Sequence, residues 1–89
     1  MAKRGYRAEA KRRKELEEEG YLVMRVSGSI GPADLIAIRR LGKYYDVRLE
    51  QVKKTRGRTY YFDSRAVDEW KRLYEIREKW GIRAYWVVY

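Results

Sequence analysis

Asp34, Gln51 and Lys53 are the residues in the middle of this chain that could do chemistry. Residues i and i+2 of a strand share a face, so Gln51 and Lys53 project together. A hairpin joining the strand that opens at Asp34 to the strand that ends at Lys53 brings the carboxylate near that pair. An acid, a second oxygen donor and a lysine at one spot suit a hard divalent cation and a phosphodiester. All three belong to the stretch 27–53, which reads SGSIGPADLIAI, then RRLGKYY, then DVRLEQVK.

The elements that must position them follow from pattern. Residues 1–5 are a short basic arm, and 6–19 favour a helix rich in Ala, Lys, Arg and Glu, stopped by Gly20. Its apolar face is thin: Tyr6, Ala8, Ala10 and Leu16. Its bases come first and its acids last, against the helix dipole, which hints at an anionic partner near the N-terminus. A β-rich run at 21–26 predicts a first strand, and 27–32 is turn chemistry. The apolar run 33–38 predicts a central strand. A turn over 39–43 leads to a strand over 44–53. Tyr45, Val47, Leu49, Gln51 and Lys53 fall on one of its faces. Asp46, Arg48 and Glu50 fall on the other, which is expected to be partly solvated.

A basic loop over 54–58 precedes a short strand at 59–62. Asp63 or Ser64 can cap a helix over 65–79, whose apolar stripe is Val67, Trp70, Leu73, Tyr74, Ile76 and Trp80. Gly81 stops it, and a last strand at 82–89, reached across a helix, is expected to be parallel to its neighbour. The order αβββ(β)αβ predicts a single α/β domain over 1–89: a small mixed β-sheet flanked by helices.

Composition narrows the function. The chain has 22 basic and 13 acidic residues, a net charge of +9, and 15% aromatics. A compact, basic, aromatic-rich domain points first to nucleic acid. Cysteine and histidine are absent, which excludes disulfides, thiolate metal sites, imidazole bases and a Ser-His-Asp triad. No apolar run approaches membrane-spanning length and no signal peptide is visible, so an intracellular protein with no membrane partner is expected. Charged residues at 39%, no asparagine and a lone glutamine lean towards a thermophile.

RGYRAE at the start of the first helix, EEEGYLVMR, GSIGPADLIA, QVKKT, FDSRAVDEW and the closing EKWGIRAYWVV follow one another in an order that resembles a known family. The chain is similar to the archaeal Holliday-junction resolvases, within the PD-(D/E)xK restriction-endonuclease-like nucleases. The resemblance implies a restriction-endonuclease-like core and Mg²⁺-dependent cleavage of four-way DNA junctions, with Mn²⁺ able to substitute. It assigns Glu9, Asp34, Gln51 and Lys53 to the catalytic positions, with Ser29 beside them. Metal would fall to Glu9, Asp34, Gln51 and the Val52 carbonyl.

Phosphate-backbone contacts are expected from Lys3, Arg4, Arg7, Arg25, Lys54, Arg56 and Arg58. Ile76 and Trp80 are expected in a homodimer interface, since two symmetric cuts need two sites. A cytoplasmic, nucleoid-associated location follows from such a substrate. Three departures from the family stand out. Gln51 replaces the usual glutamate and brings no charge to a metal. Ala10 replaces an arginine. Arg12, Arg13 and Glu15 occupy positions on the first helix that are mostly apolar in the family, so either the helix rotates or their stems snorkel. The alternative reading is a DNA-binding protein that keeps the fold with weakened or lost catalysis. A third, an RNA-binding domain stacking bases on its tyrosines, is weaker because they are scattered.

Overall fold

The computed structural model describes residues 3–26, 33–55 and 63–89, with side chains from Arg7 onward in the first segment. Helix α1 spans Lys3–Glu18 and helix α2 spans Ser64–Trp80. The strands are β1 (Leu22–Arg25), β2 (Leu35–Leu41), β3 (Tyr44–Lys53) and β4 (Arg83–Val88). They form one sheet in the order β1-β2-β3-β4. The first three strands are antiparallel neighbours, and β4 runs parallel to β3. This is the mixed sheet with two helices that the pattern predicted. The expected turn at 27–32 and short strand at 59–62 lie outside the described residues.

The β2–β3 hairpin is longer and tighter than expected. The predicted turn over 39–43 shrinks to Gly42 and Lys43, with Leu41 paired to Tyr44. Gly42 has φ of 65°, the positive value that the favoured two-residue links require at this position. Helix α2 has both ends defined by its sequence. The Asp63 carboxylate accepts a 2.8 Å hydrogen bond from the Ala66 N–H. At the other end Gly81 takes a left-handed φ of 69° and donates its N–H to the Arg77 carbonyl.

Helix α1 covers one face of the sheet. Ala8 and Leu16 pack there with Tyr21, Val23, Leu35, Ala37 and Val52. Helix α2 packs on β4 at the opposite face. Only Ala66 and Leu73 of α2 are fully buried, while Trp70, Tyr74 and Trp80 of the predicted stripe stay exposed. Leu22 and Met24 of β1 are exposed as well.

The face of β3 expected to be partly solvated is covered. Glu50 has no exposed surface. Its carboxylate accepts from Arg12 Nε at 2.5 Å and Arg12 Nη2 at 2.9 Å, and lies 2.8 Å from Arg48 Nε. The reason is the spacing Ala8, Arg12, Leu16, which puts Arg12 on the sheet-facing row of α1, one turn from each buried neighbour. Arg12 therefore does not snorkel to water; its head group lands on Glu50. Nearby, Asp46 accepts a 2.5 Å hydrogen bond from the Tyr21 hydroxyl. Arg13 stays outside against Glu17, and Glu15 accepts from the Tyr89 hydroxyl at 2.5 Å.

A buried ion pair is costly to break, because one charge is left behind without its partner. Arg12→Leu should destabilise the protein by about 3 kcal/mol in urea unfolding, whereas Arg13→Ala should change it by less than about 0.5 kcal/mol. Equal small effects would show that the pair bears no such cost.

The Tyr89 phenol is pushed up to about 12, by burial first and then by its hydrogen bond to Glu15. The Glu15 carboxyl is held below its usual range, chiefly by the same bond. The folded chain keeps the Tyr89 proton where the unfolded chain loses it. Stability from this pair is therefore whole below the ordinary tyrosine value near 10 and falls as pH rises towards about 12. Tyr89→Phe should make that alkaline fall visibly shallower in urea midpoints measured across the same window.

Candidate active site

The site is built at the end of β3, where four successive residues point in alternate directions. Glu50 and Val52 face α1, and Gln51 and Lys53 face the side of α2. The β2–β3 ladder ends at Leu35 opposite Glu50. Just before β2, the Asp34 N–H donates to the Glu50 carbonyl, and the Asp34 carboxylate accepts the Val52 N–H at 2.8 Å. A side chain thus satisfies a backbone donor that β2 does not reach. This fixes Asp34 beside the Gln51–Val52–Lys53 segment, as the hairpin argument required.

A residue that pattern reasoning passed over joins them. Glu69 of α2 places Oε2 at 2.7 Å from Gln51 Nε2 and 2.9 Å from Lys53 Nζ. It occupies the row Ala66, Glu69, Leu73, whose other two members are buried. A charge at a sheet-facing position was the available signal. Glu9 approaches from α1 and accepts from Arg25 Nε at 3.0 Å.

Burial pushes the Asp34 carboxyl above its usual range, the Val52 N–H pulls it back, the charge of Glu9 pushes it up again, and Lys53 draws it down against Glu69. The charged form is thus less favourable in the folded chain than in the unfolded one, so stability from Asp34 is present at low pH and is lost as pH rises through its raised folded value. Asp34→Asn keeps an oxygen for the Val52 N–H and sheds the charge. It should raise the thermal midpoint at neutral pH in the absence of divalent cations; an unchanged or lowered midpoint would contradict the assignment.

Could a divalent cation be held here? Among the described residues no three carboxylates converge into a ready-made cage. The donor set is nonetheless all oxygen: the carboxylates of Asp34, Glu9 and Glu69, the Gln51 amide and the Val52 carbonyl. A small hard cation commonly keeps several waters and takes only one or two protein carboxylates plus substrate phosphate. The residues fit that sparse mode of binding.

The other predicted site residues divide. Ser29, Arg56 and Arg58 lie outside the described residues, as do the side chains of Lys3 and Arg4. Arg7 and Lys54 are exposed and line one cleft of about 340 Å³ with Ala8, Lys11 and Tyr89. Lys11 adds a third base to that cleft. Arg25 lies instead on a second cleft of about 260 Å³ with Glu9, Ala10 and Arg13. Ile76 is half-buried and Trp80 is 66% exposed on α2, where Trp70 and Tyr74 also stack at 5.6 Å.

No protein-family model matches the chain, and no curated protein matches it in sequence. Its fold matches a solved structure described as Hjc, a Holliday junction resolvase from the archaeal hyperthermophile Archaeoglobus fulgidus. The TM-score is 0.62 at 21% identity, over 90% of this chain and 65% of that one. The chain therefore has the fold of that resolvase while spanning about two thirds of its length.

Proposed function

We propose that the chain is a divalent-cation-dependent DNA endonuclease acting at four-way junctions. The observation that carries this is Asp34, Gln51 and Lys53 meeting at the end of β3, on a resolvase fold. The net charge of +9 supports a polyanionic substrate. The exposed bases Arg7, Lys11 and Lys54 supply part of a phosphate-binding surface beside the site. Arg25 extends it on the other side of α1, and Lys3, Arg4, Arg56 and Arg58 are assigned to the same task. Such contacts fix the backbone without reading bases, which suits recognition of shape.

Asp34, Gln51 and the Val52 carbonyl would hold Mg²⁺ or Mn²⁺, with Glu9 reaching it directly or through water. A cation bound there lowers the pKa of a coordinated water and offsets charge on the phosphate. Lys53 carries its ammonium beside Gln51, where it can orient the attacking water and stabilise charge growing on the phosphoryl oxygens. Hydrolysis forms a bond from the water oxygen to phosphorus and breaks one bridging P–O bond. The attacking water releases a proton to solvent, and the departing oxygen takes one up, so the proton balance closes. Ser29 is assigned beside this chemistry. The exposed α2 face with Ile76 and Trp80 is assigned to a homodimer, which would cut both strands of a symmetric junction. A protein with this substrate works inside the cell, and no helix among the described residues is long and apolar enough to cross a membrane.

A synthetic four-way junction and a matched linear duplex, incubated with Mg²⁺ and with EDTA, test the proposal. Paired symmetric cuts in the junction should appear only with Mg²⁺. Asp34→Asn and Lys53→Ala should each lower cutting by about 10²-fold or more, the usual scale for losing a group that stabilises transition-state charge. Salt-sensitive junction binding without cutting would move the assignment to a non-catalytic DNA-binding relative.

A further inference from the structure

The absence of a carboxylate at position 51 looks like a defect until α2 is considered. Gln51 is only 7% exposed, and its amide nitrogen is committed to Glu69 at 2.7 Å. The same Glu69 oxygen takes the Lys53 ammonium at 2.9 Å. The other oxygen of Glu69 lies 3.7 Å from Arg65, a side chain that is 90% exposed and holds it loosely. A glutamate at position 51 would face the Glu69 carboxylate at hydrogen-bond distance. Two carboxylates so close repel each other, and the hydrogen bond that the amide donates to Glu69 is lost. An amide at 51 is therefore what a carboxylate at 69 demands.

We propose that Glu69 supplies the negative charge of this active site from α2, where it holds both Gln51 and Lys53. The inference rests on the nuclease assignment and deepens it. Glu69 acts as a positioning residue in two ways. It holds Lys53 in place at the strand end. It also fixes which end of the Gln51 amide carries the donor, so the carbonyl oxygen points away from Glu69. Its charge acts on Asp34 as well. On this account Gln51→Glu does not repair the site; it overloads it with charge.

The experiment compares wild type with Glu69→Gln, Gln51→Glu and the exchanged pair Gln51→Glu/Glu69→Gln. Mn²⁺ binding at up to millimolar concentration is followed by calorimetry and by the shift in thermal midpoint, which need no turnover. Junction cleavage is measured in parallel. Glu69→Gln should weaken Mn²⁺ binding by about tenfold, equivalent to about 1.4 kcal/mol, and slow cutting at least as much. Gln51→Glu should lower the midpoint at neutral pH, because the donated hydrogen bond is replaced by repulsion between carboxylates. The exchanged pair should regain both midpoint and Mn²⁺ affinity.

Wild-type Mn²⁺ affinity in Glu69→Gln overturns the inference, as does an exchanged pair no better than the worse single variant. Absence of any Mn²⁺ response in all four proteins overturns it too. If the binding pattern follows the exchange but wild type cuts no branched DNA, the nuclease assignment fails and the role of Glu69 stands. If wild type cuts junctions and Glu69→Gln cuts them equally well, the reverse holds.

Discussion

The hydrogen bond from the Val52 N–H to the Asp34 carboxylate sets the geometry of everything around it. It joins the run-in to β2 to the end of β3, beyond the last β2–β3 pair at Leu35 and Glu50. Once Asp34 is pinned there, the alternation of β3 does the rest. Glu50 is sent under α1, Gln51 and Lys53 are sent towards α2, and both helices meet the sheet through polar side chains as well as apolar ones. Gln51, Lys53 and Glu69 are thus held by strand and helix, and Asp34, just before β2, is tied to the strand by its own side chain.

That arrangement has an energetic character unusual for a domain of 89 residues. A small domain buries limited apolar surface, yet this one spends interior volume on Arg12, Glu50 and the Tyr21–Asp46 bond. Buried ion pairs seldom stabilise a fold more than apolar residues of the same shape would. They do define one arrangement strongly, because any other docking of α1 takes both Arg12 hydrogen bonds from Glu50 and leaves the buried carboxylate only Arg48 of its own strand. In this chain α1 has a thin apolar row, so the polar contact carries much of the specificity of its docking. The cost of placing charge in and around the site falls less heavily at high temperature, where ions are less well hydrated.

Most of the fold was legible because its elements obey simple periodicity. Helix α2 with its Asp63 cap and Gly81 stop, the long β3 and the parallel return of β4 all followed from residue spacing, whereas half of the α2 stripe, Trp70, Tyr74 and Trp80, stays exposed. The pairing of Gln51 with Lys53 and their approach by Asp34 followed from strand alternation and a hairpin. What escaped was set by charge at positions that pattern assigns to apolar residues. Arg12 between Ala8 and Leu16 is a core position by spacing and a surface residue by type. Glu50 between Arg48 and Val52 presents the same conflict, and Glu69 between Ala66 and Leu73 is the third case. A one-dimensional pattern sends such residues to solvent. Only the docking of helices on the two faces shows that each meets a partner. The length of the β2–β3 hairpin was missed for a different reason: Gly42 with positive φ shortened the turn and let β2 run on to Leu41.

The parallel pairing of β3 with β4 has a bearing on how the molecule assembles. The β1–β2–β3 meander consists of neighbours in sequence, and two of its strands are joined by a two-residue link. Closing β4 against β3 must instead bring Arg83 back to Arg48 across the whole of α2. The chain entropy lost in that closure is larger, so local strands can pair before the return crossing is made. Asp34, Gln51 and Lys53 belong to the early part, whereas Glu69 belongs to the crossing. A chain with only the meander paired would therefore have its lysine and amide on β3 and still lack the Glu69 carboxylate that bonds to both, a contact made with the final topological step.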